Sequence, residues 1–166
     1  LFDVAGERRS TPKVFSMPAF RSPYDSAMGL VFLPRLIDKM RAGGTAALDG
    51  YNYKTVGMDA ELIEFLGVGA DAMEAAVKSA TSDAEVFDWI SAHARTWTRQ
   101  EAVALNHAIL DDGQRSDDER AQFEARRLQR YPDRPLQYYV DLIEADAGRP
   151  IRSRPLPDRC YEPEDS

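Results

Sequence analysis

An all-α fold is what this sequence predicts: a single compact bundle of about six to seven short helices, with an extended arm at each end. Three observations predict it. Ser82-Asp83-Ala84-Glu85, Thr98-Arg99-Gln100-Glu101 and Ser116-Asp117-Asp118-Glu119 each read as a capping box, in which a hydroxyl and a glutamate satisfy the first free amides of a helix. Apolar residues recur at i, i+3, i+4 and i+7 through most of the chain. No stretch alternates with period two for long enough to make a convincing strand.

Residues 1–20 form the first arm, because Pro12, Pro18 and the polar run Gly6-Glu7-Arg8-Arg9-Ser10 carry no sustained period. Residues 21–148 form the bundle. Ser22 and Pro23 open a short first helical segment as N-cap and first helical position. A helix over about 34–42 follows, with Leu33, Leu36, Ile37 and Met40 in one stripe and Gly43-Gly44 as its stop. The loop Tyr51-Asn52-Tyr53 leads to Asp59, which reads as the cap of a helix carrying Leu62, Ile63, Phe65 and Leu66. Met73, Ala76 and Val77 point inward from a helix over about 71–79.

The Ser82 box starts a helix that buries Val86, Trp89 and Ile90, and the Thr98 box one that buries Leu105, Ile109 and Leu110. The Ser116 box starts a third, with Ala121, Ala125 and Leu128 on one face. The last helix spans about 135–147 on a stripe of Leu136, Tyr139, Val140 and Ile143, ended by Gly148 and Pro150. Residues 149–166 are the second arm, where Pro150, Pro155, Pro157 and Pro163 block regular helix.

With 166 residues, 43% apolar and 30% charged, the chain is long enough to bury a core without metal or disulfide support. The net charge of -7 argues against nonspecific nucleic-acid binding, which needs a concentrated field of lysine and arginine. Arg120, Arg126, Arg127, Arg130 and Arg134 are interleaved with acidic residues and read as a solvated, ion-paired helix face. The single cysteine, Cys160, forms no internal disulfide and points to a reducing, cytoplasmic setting. No apolar run approaches the ~20 residues that span a bilayer. The first residue is Leu1 and not Met, which is compatible with a processed or trimmed start.

Several segments together resemble a bacterial family known only as a domain of unknown function. They are Arg21-Ser22-Pro23, then Gly29-Leu30 through Leu33-Pro34-Arg35, Asp38-Lys39 and Arg41, then Tyr51-Asn52-Tyr53, and last Phe65-Leu66-Gly67-Val68. The resemblance covers roughly residues 20–148. It implies an all-helical fold and no assigned activity.

The candidate ligand site is Arg35, Asp38, Lys39, Tyr51, Asn52 and Tyr53. Arg35, Asp38 and Lys39 share one flank of a helix at i, i+3 and i+4, and a tyrosine loop folded onto it would bring cations and phenols together. Such a pocket suits a carboxylate or phosphate, with Arg35 as a bidentate fork. The structural alternative pairs Asp38 with Arg35 or Arg41 and lays the tyrosines over the core. No metal site is expected, since Ile90 and Ala104 stand three residues before His93 and His107, where a helical di-metal centre needs glutamate. No cofactor motif occurs, and no catalytic residue is assigned.

The sequence therefore predicts a non-catalytic interaction protein or accessory subunit, held in a larger assembly or homo-oligomer by its terminal arms. The alternative is a small-molecule enzyme or binding protein that takes an anionic ligand at the basic and tyrosine residues.

Overall fold

The computed structural model describes residues 20–163; nearly all of the first arm, and the last three residues of the second, lie outside the described residues. The chain begins with a small antiparallel ribbon. β1 (Ser26–Ala27) and β2 (Leu30–Val31) pair Ser26 with Val31 and Ala27 with Leu30. Met28 and Gly29 turn between them with φ of 53° and 76°, both left-handed.

Seven α-helices follow among the described residues: α1 (Leu33–Arg41), α2 (Gly57–Leu66), α3 (Ala70–Ser79), α4 (Asp83–His93), α5 (Arg99–Leu110), α6 (Asp117–Arg130) and α7 (Tyr139–Asp146). Single 3-10 turns occur at Ala46–Leu48 and Asp158–Cys160. The fold is mostly helical, as predicted.

α1 lies at the centre. Leu33, Leu36, Ile37 and Met40 are wholly buried against Leu62, Leu66, Met73, Val77, Val86, Ile90 and Ile109 from the surrounding helices. A second, smaller core joins Phe123 of α6 to Leu136 and Leu142. Deleting any of the large central side chains costs about 2–5 kcal/mol in cores of this kind.

Asn106 of α5 ties three parts of the chain together. Its Oδ1 accepts from the Val31 amide at 3.0 Å, and its Nδ2 donates to the carbonyls of Gly29 and Tyr161 at 3.0 and 2.9 Å. The described part of the second arm lies on the bundle. Leu156 and Tyr161 are buried, and Arg154 donates to Asp111, to the Leu110 carbonyl and to the Tyr24 hydroxyl.

Four local expectations are corrected. The segment at Ser22 and Pro23 is a turn leading into the ribbon and not a helix; Ser22 Oγ accepts from the Tyr24 amide and donates to Glu144. Of the three expected capping boxes, only that of Thr98 and Glu101 is reciprocal. Ser82 and Ser116 cap as expected, but Glu85 reaches back to the Thr81 amide, and Glu119 to those of Arg115 and Gly113.

In α6 the buried residue is Phe123, while Ala121, Ala125 and Leu128 face solvent, Leu128 at 50% exposure. α7 starts at Tyr139 and not near Pro135, because the Asp141 carboxylate takes the amides of Gln137 and Tyr138 and fixes the start there.

Gly29 sits where a Cβ would meet Pro163 at 2.7 Å, in a backbone conformation that L-residues resist. Gly29→Ala is expected to cost at least about 1 kcal/mol in chemical denaturation. It should also make residues 150–163 more sensitive to limited proteolysis than in the wild type.

Candidate functional site

α1 is buried on nearly every side, so two of its cations are inside the protein. Arg35 and Lys39 are each only 4% exposed. A buried ammonium needs a carboxylate, and Lys39 has one. Its Nζ donates to Asp59 Oδ1 and Oδ2 at 2.5 and 2.6 Å and to the Asn52 carbonyl at 2.5 Å. Asp59 also accepts from the Lys54 amide at 3.0 Å. Burial pushes Lys39 down and Asp59 up, and their contact opposes both shifts. Asp59 is thus the counter-ion of α1 and not the cap of α2, whose N-cap is Val56.

Arg35 is different. Its Nη1 donates to the Arg21 carbonyl at 3.0 Å, and it forms no ion pair among the described residues. Its guanidinium lies 5.6 Å from the Phe20 ring centre and 5.8 Å from that of Tyr51, near the ~6 Å limit of a cation–π contact. Burial pushes its pKa down from the ordinary arginine value.

Beside these groups opens a cavity of about 860 Å³, walled by α1, the tyrosine loop, α2, α6 and α7. Arg35, Lys39, Tyr51 and Asn52 line it together with Asp59. Phe32, Met58, Tyr139, Leu142 and Ile143 supply its apolar lining. α6 contributes Glu119, Gln122, Arg126 and Arg130 from one flank.

Two candidate residues are elsewhere. Asp38 grips Arg21, accepting from its amide at 2.9 Å and its Nη2 at 2.7 Å, in a network with Arg41 and Asp83. Tyr53 donates to Glu74 at 2.7 Å, beside Lys54 and Lys78, and these partners hold Glu74 down at about 2.

The cavity also has an acidic wall that sequence reasoning missed. Arg115, in the loop before α6, meets Glu61 at 2.9 Å, Asp112 at 2.7 Å and Glu119 at 3.0 Å. Asp112 is 7% exposed. Its burial, and then its hydrogen bond with Glu119, push its pKa up to about 7, with Arg115 opposing. Glu119 had read as a capping glutamate, and Asp112 belongs to no motif, so neither gave a separate signal in the sequence.

The arginines of α6 are mainly paired: Arg120 with Asp117, Arg127 with Glu124 and Arg130 with Asp146. Arg126 lies over the Tyr139 ring at 5.5 Å. Among the described residues no group of histidine, cysteine and carboxylates is arranged to hold a metal ion, and no helix is long and apolar enough to cross a membrane.

The sequence pattern of the family described as "Domain of unknown function (DUF5069)" matches residues 17–149, which take in every residue of this cavity. No curated protein matches the chain.

Lys39→Met leaves Asp59 buried without its cation and is expected to destabilise by about 3–5 kcal/mol in urea titrations. Lys39→Met combined with Asp59→Leu should recover most of that loss. A second expectation concerns pH. Asp112 titrates higher in the fold than its ordinary value of 3.8, so the stability it contributes is present in acid and is lost as pH rises toward about 7. Comparing denaturation curves of wild type and Asp112→Asn across that window should show the decline only in the wild type.

Proposed function

The chain belongs to the DUF5069 family, whose description assigns no activity, and from its site we propose that it binds a small carboxylate or phosphate in the cavity beside α1. One observation carries this reading. Arg35 is a nearly fully buried guanidinium without a carboxylate partner among the described residues, in the wall of a cavity large enough for a metabolite. A charge in that position destabilises the empty protein, and an anionic ligand would supply the missing partner. The planar fork suits either anion through two parallel hydrogen bonds.

The surroundings support the same ligand class. Phe20 and Tyr51 flank the guanidinium and restrict its motion, so less entropy is lost when it binds. The apolar lining from Phe32, Met58, Leu142 and Ile143 favours a ligand with a short carbon skeleton. Lys39 is already saturated by Asp59 and the Asn52 carbonyl, so of the two buried cations on α1 it is Arg35 that reads the anion.

The test is thermal stabilisation by inorganic phosphate, phosphate monoesters and small mono-, di- and tricarboxylates. Members of the set should raise Tm, and calorimetry with Arg35→Gln should show at least about a tenfold weaker affinity for them, the worth of a charge-assisted contact. Without ligand, Arg35→Met should unfold at higher denaturant than the wild type, because a buried unpaired charge has been removed. Equal stabilisation of wild type and Arg35→Gln, or none by any anion of the set, would overturn the proposal.

A further inference from the structure

Building on the anion-binding reading, we infer that Asp112 and Glu119 form an acid–base pair that exchanges a proton with the substrate held in this cavity, which makes the site catalytic. Three carboxylates, Glu61, Asp112 and Glu119, converge on the single guanidinium of Arg115 at 2.9, 2.7 and 3.0 Å. One cation does not neutralise three anions. Asp112 Oδ1 and Glu119 Oε1 both lie on Arg115 Nη2, at 2.7 and 3.0 Å, so two like charges stand side by side and a proton on one of them relieves the repulsion.

The surroundings place that proton on Asp112. Glu119 accepts from the amides of Gly113 and Arg115 at 3.2 and 2.7 Å and from Arg115 Nε at 3.1 Å, all of which favour its ionised form. Asp112 is the more buried of the two and takes one bond from Arg115. Two adjacent carboxyls pushed apart in this way are the usual arrangement of a general acid and its partner.

The groups that face Asp112 are Glu61 from α2, Arg115 from its own loop, Glu119 from α6 and Tyr139 from α7, whose phenol burial keeps protonated. Asp112 releases its proton at about 7, close to the pH at which a general base works best.

An acidic cluster by itself would be no site. Here the same cavity holds the buried Arg35, which has no ion pair among the described residues and fixes an anionic handle. A fixed anion and a base that is ionised near neutral pH are the requirements for proton transfer at carbon. The substrate class is therefore a small carboxylate or phosphate with a carbonyl next to a C–H bond.

In the step, ionised Asp112 takes the proton from carbon. The C–H electron pair becomes the C=C bond of an enolate, and the carbonyl π pair moves onto oxygen. Return of the proton from Asp112 to that carbon restores the carbonyl. Atoms and electrons balance without a co-reactant.

The experiment follows 1H NMR signals of dihydroxyacetone phosphate, pyruvate and 2-oxoglutarate in D2O with the full chain. At least one should lose its C–H signal by exchange at a rate that rises through about pH 7. Asp112→Asn should slow exchange by about 100-fold or more. Glu119→Gln keeps an acceptor for the two amides but removes the like charge, so it should move the pH midpoint downward, a change that a purely structural role would not produce. Circular dichroism of both variants checks the fold, and the midpoint in Glu119→Gln decides the matter if Asp112→Asn does not fold.

Arg35-dependent binding of these anions with exchange only at the buffer rate would overturn the acid–base pair and leave the anion site standing. No Arg35-dependent binding of any of them would sink both.

Discussion

The placement of α1 constrains the rest of the molecule. A helix of nine residues with seven of them buried has no outer face on which to keep Arg35 and Lys39 in water. The fold answers the two charges differently. Lys39 draws Asp59 out of the first turn of α2 and the Asn52 carbonyl out of the tyrosine loop, so its ion pair fixes how both segments sit against α1. Arg35 receives a carbonyl and two aromatic rings but, among the described residues, no carboxylate. Packing could have filled the space in front of it with apolar side chains, yet a cavity lies there instead.

The cavity persists because α6 is held at a distance. Its anchor is Phe123, packed with Leu136 and Leu142 and edge-on to Tyr139 at 5.2 Å. Its polar flank turns to the cavity, and Ala121, Ala125 and Leu128 turn outward. A helix with one buried apolar side chain contributes little to global stability, which places it at the less stable end of the structure. The main core is closed elsewhere, by Asn106 joining α5 to the ribbon and to Tyr161, so the walls formed by α1 and α2 do not depend on α6.

Much of this architecture was legible in the sequence because helix periodicity reports burial on one face. The stripe Leu33, Leu36, Ile37 and Met40 located α1 to within a residue. The same rule hid the chemistry. Periodicity assigns charged residues to solvent, and so it did not reveal that Arg35 and Lys39 are buried nearly as deeply as the leucines beside them.

Of the six candidate residues the structure brings Arg35, Lys39, Tyr51 and Asn52 to the cavity, since they meet across the α1–loop contact. Asp38, three residues beyond Arg35, is rotated toward Arg21 and Asp83, and Tyr53, two beyond Tyr51, toward Glu74. Asp59 and Glu119 were masked by their position near helix starts, where a carboxylate already has a local explanation. Their partners, Lys39 and Asp112, are contacts of tertiary structure that no local pattern encodes.

The contrast between the whole chain and this one wall bears on what can bind. With a net charge of -7 the protein repels extended polyanions at distances within a Debye length of its surface, about 8 Å at physiological salt. Arg35 acts at shorter range, in a desolvated place where one guanidinium is worth more than several on the surface. α2 separates the two kinds of charge: Asp59 faces Lys39 beside the anion site, while Glu61, two residues on, faces Arg115 in the acidic wall. On the proposed reading a ligand would therefore be small enough to enter and would carry its negative charge compactly, with its uncharged part turned toward Asp112 and Glu119. On that reading such a site would select a compact anion by size and by the position of its charge, and the acidity of the surrounding surface would sharpen that selection against larger anions.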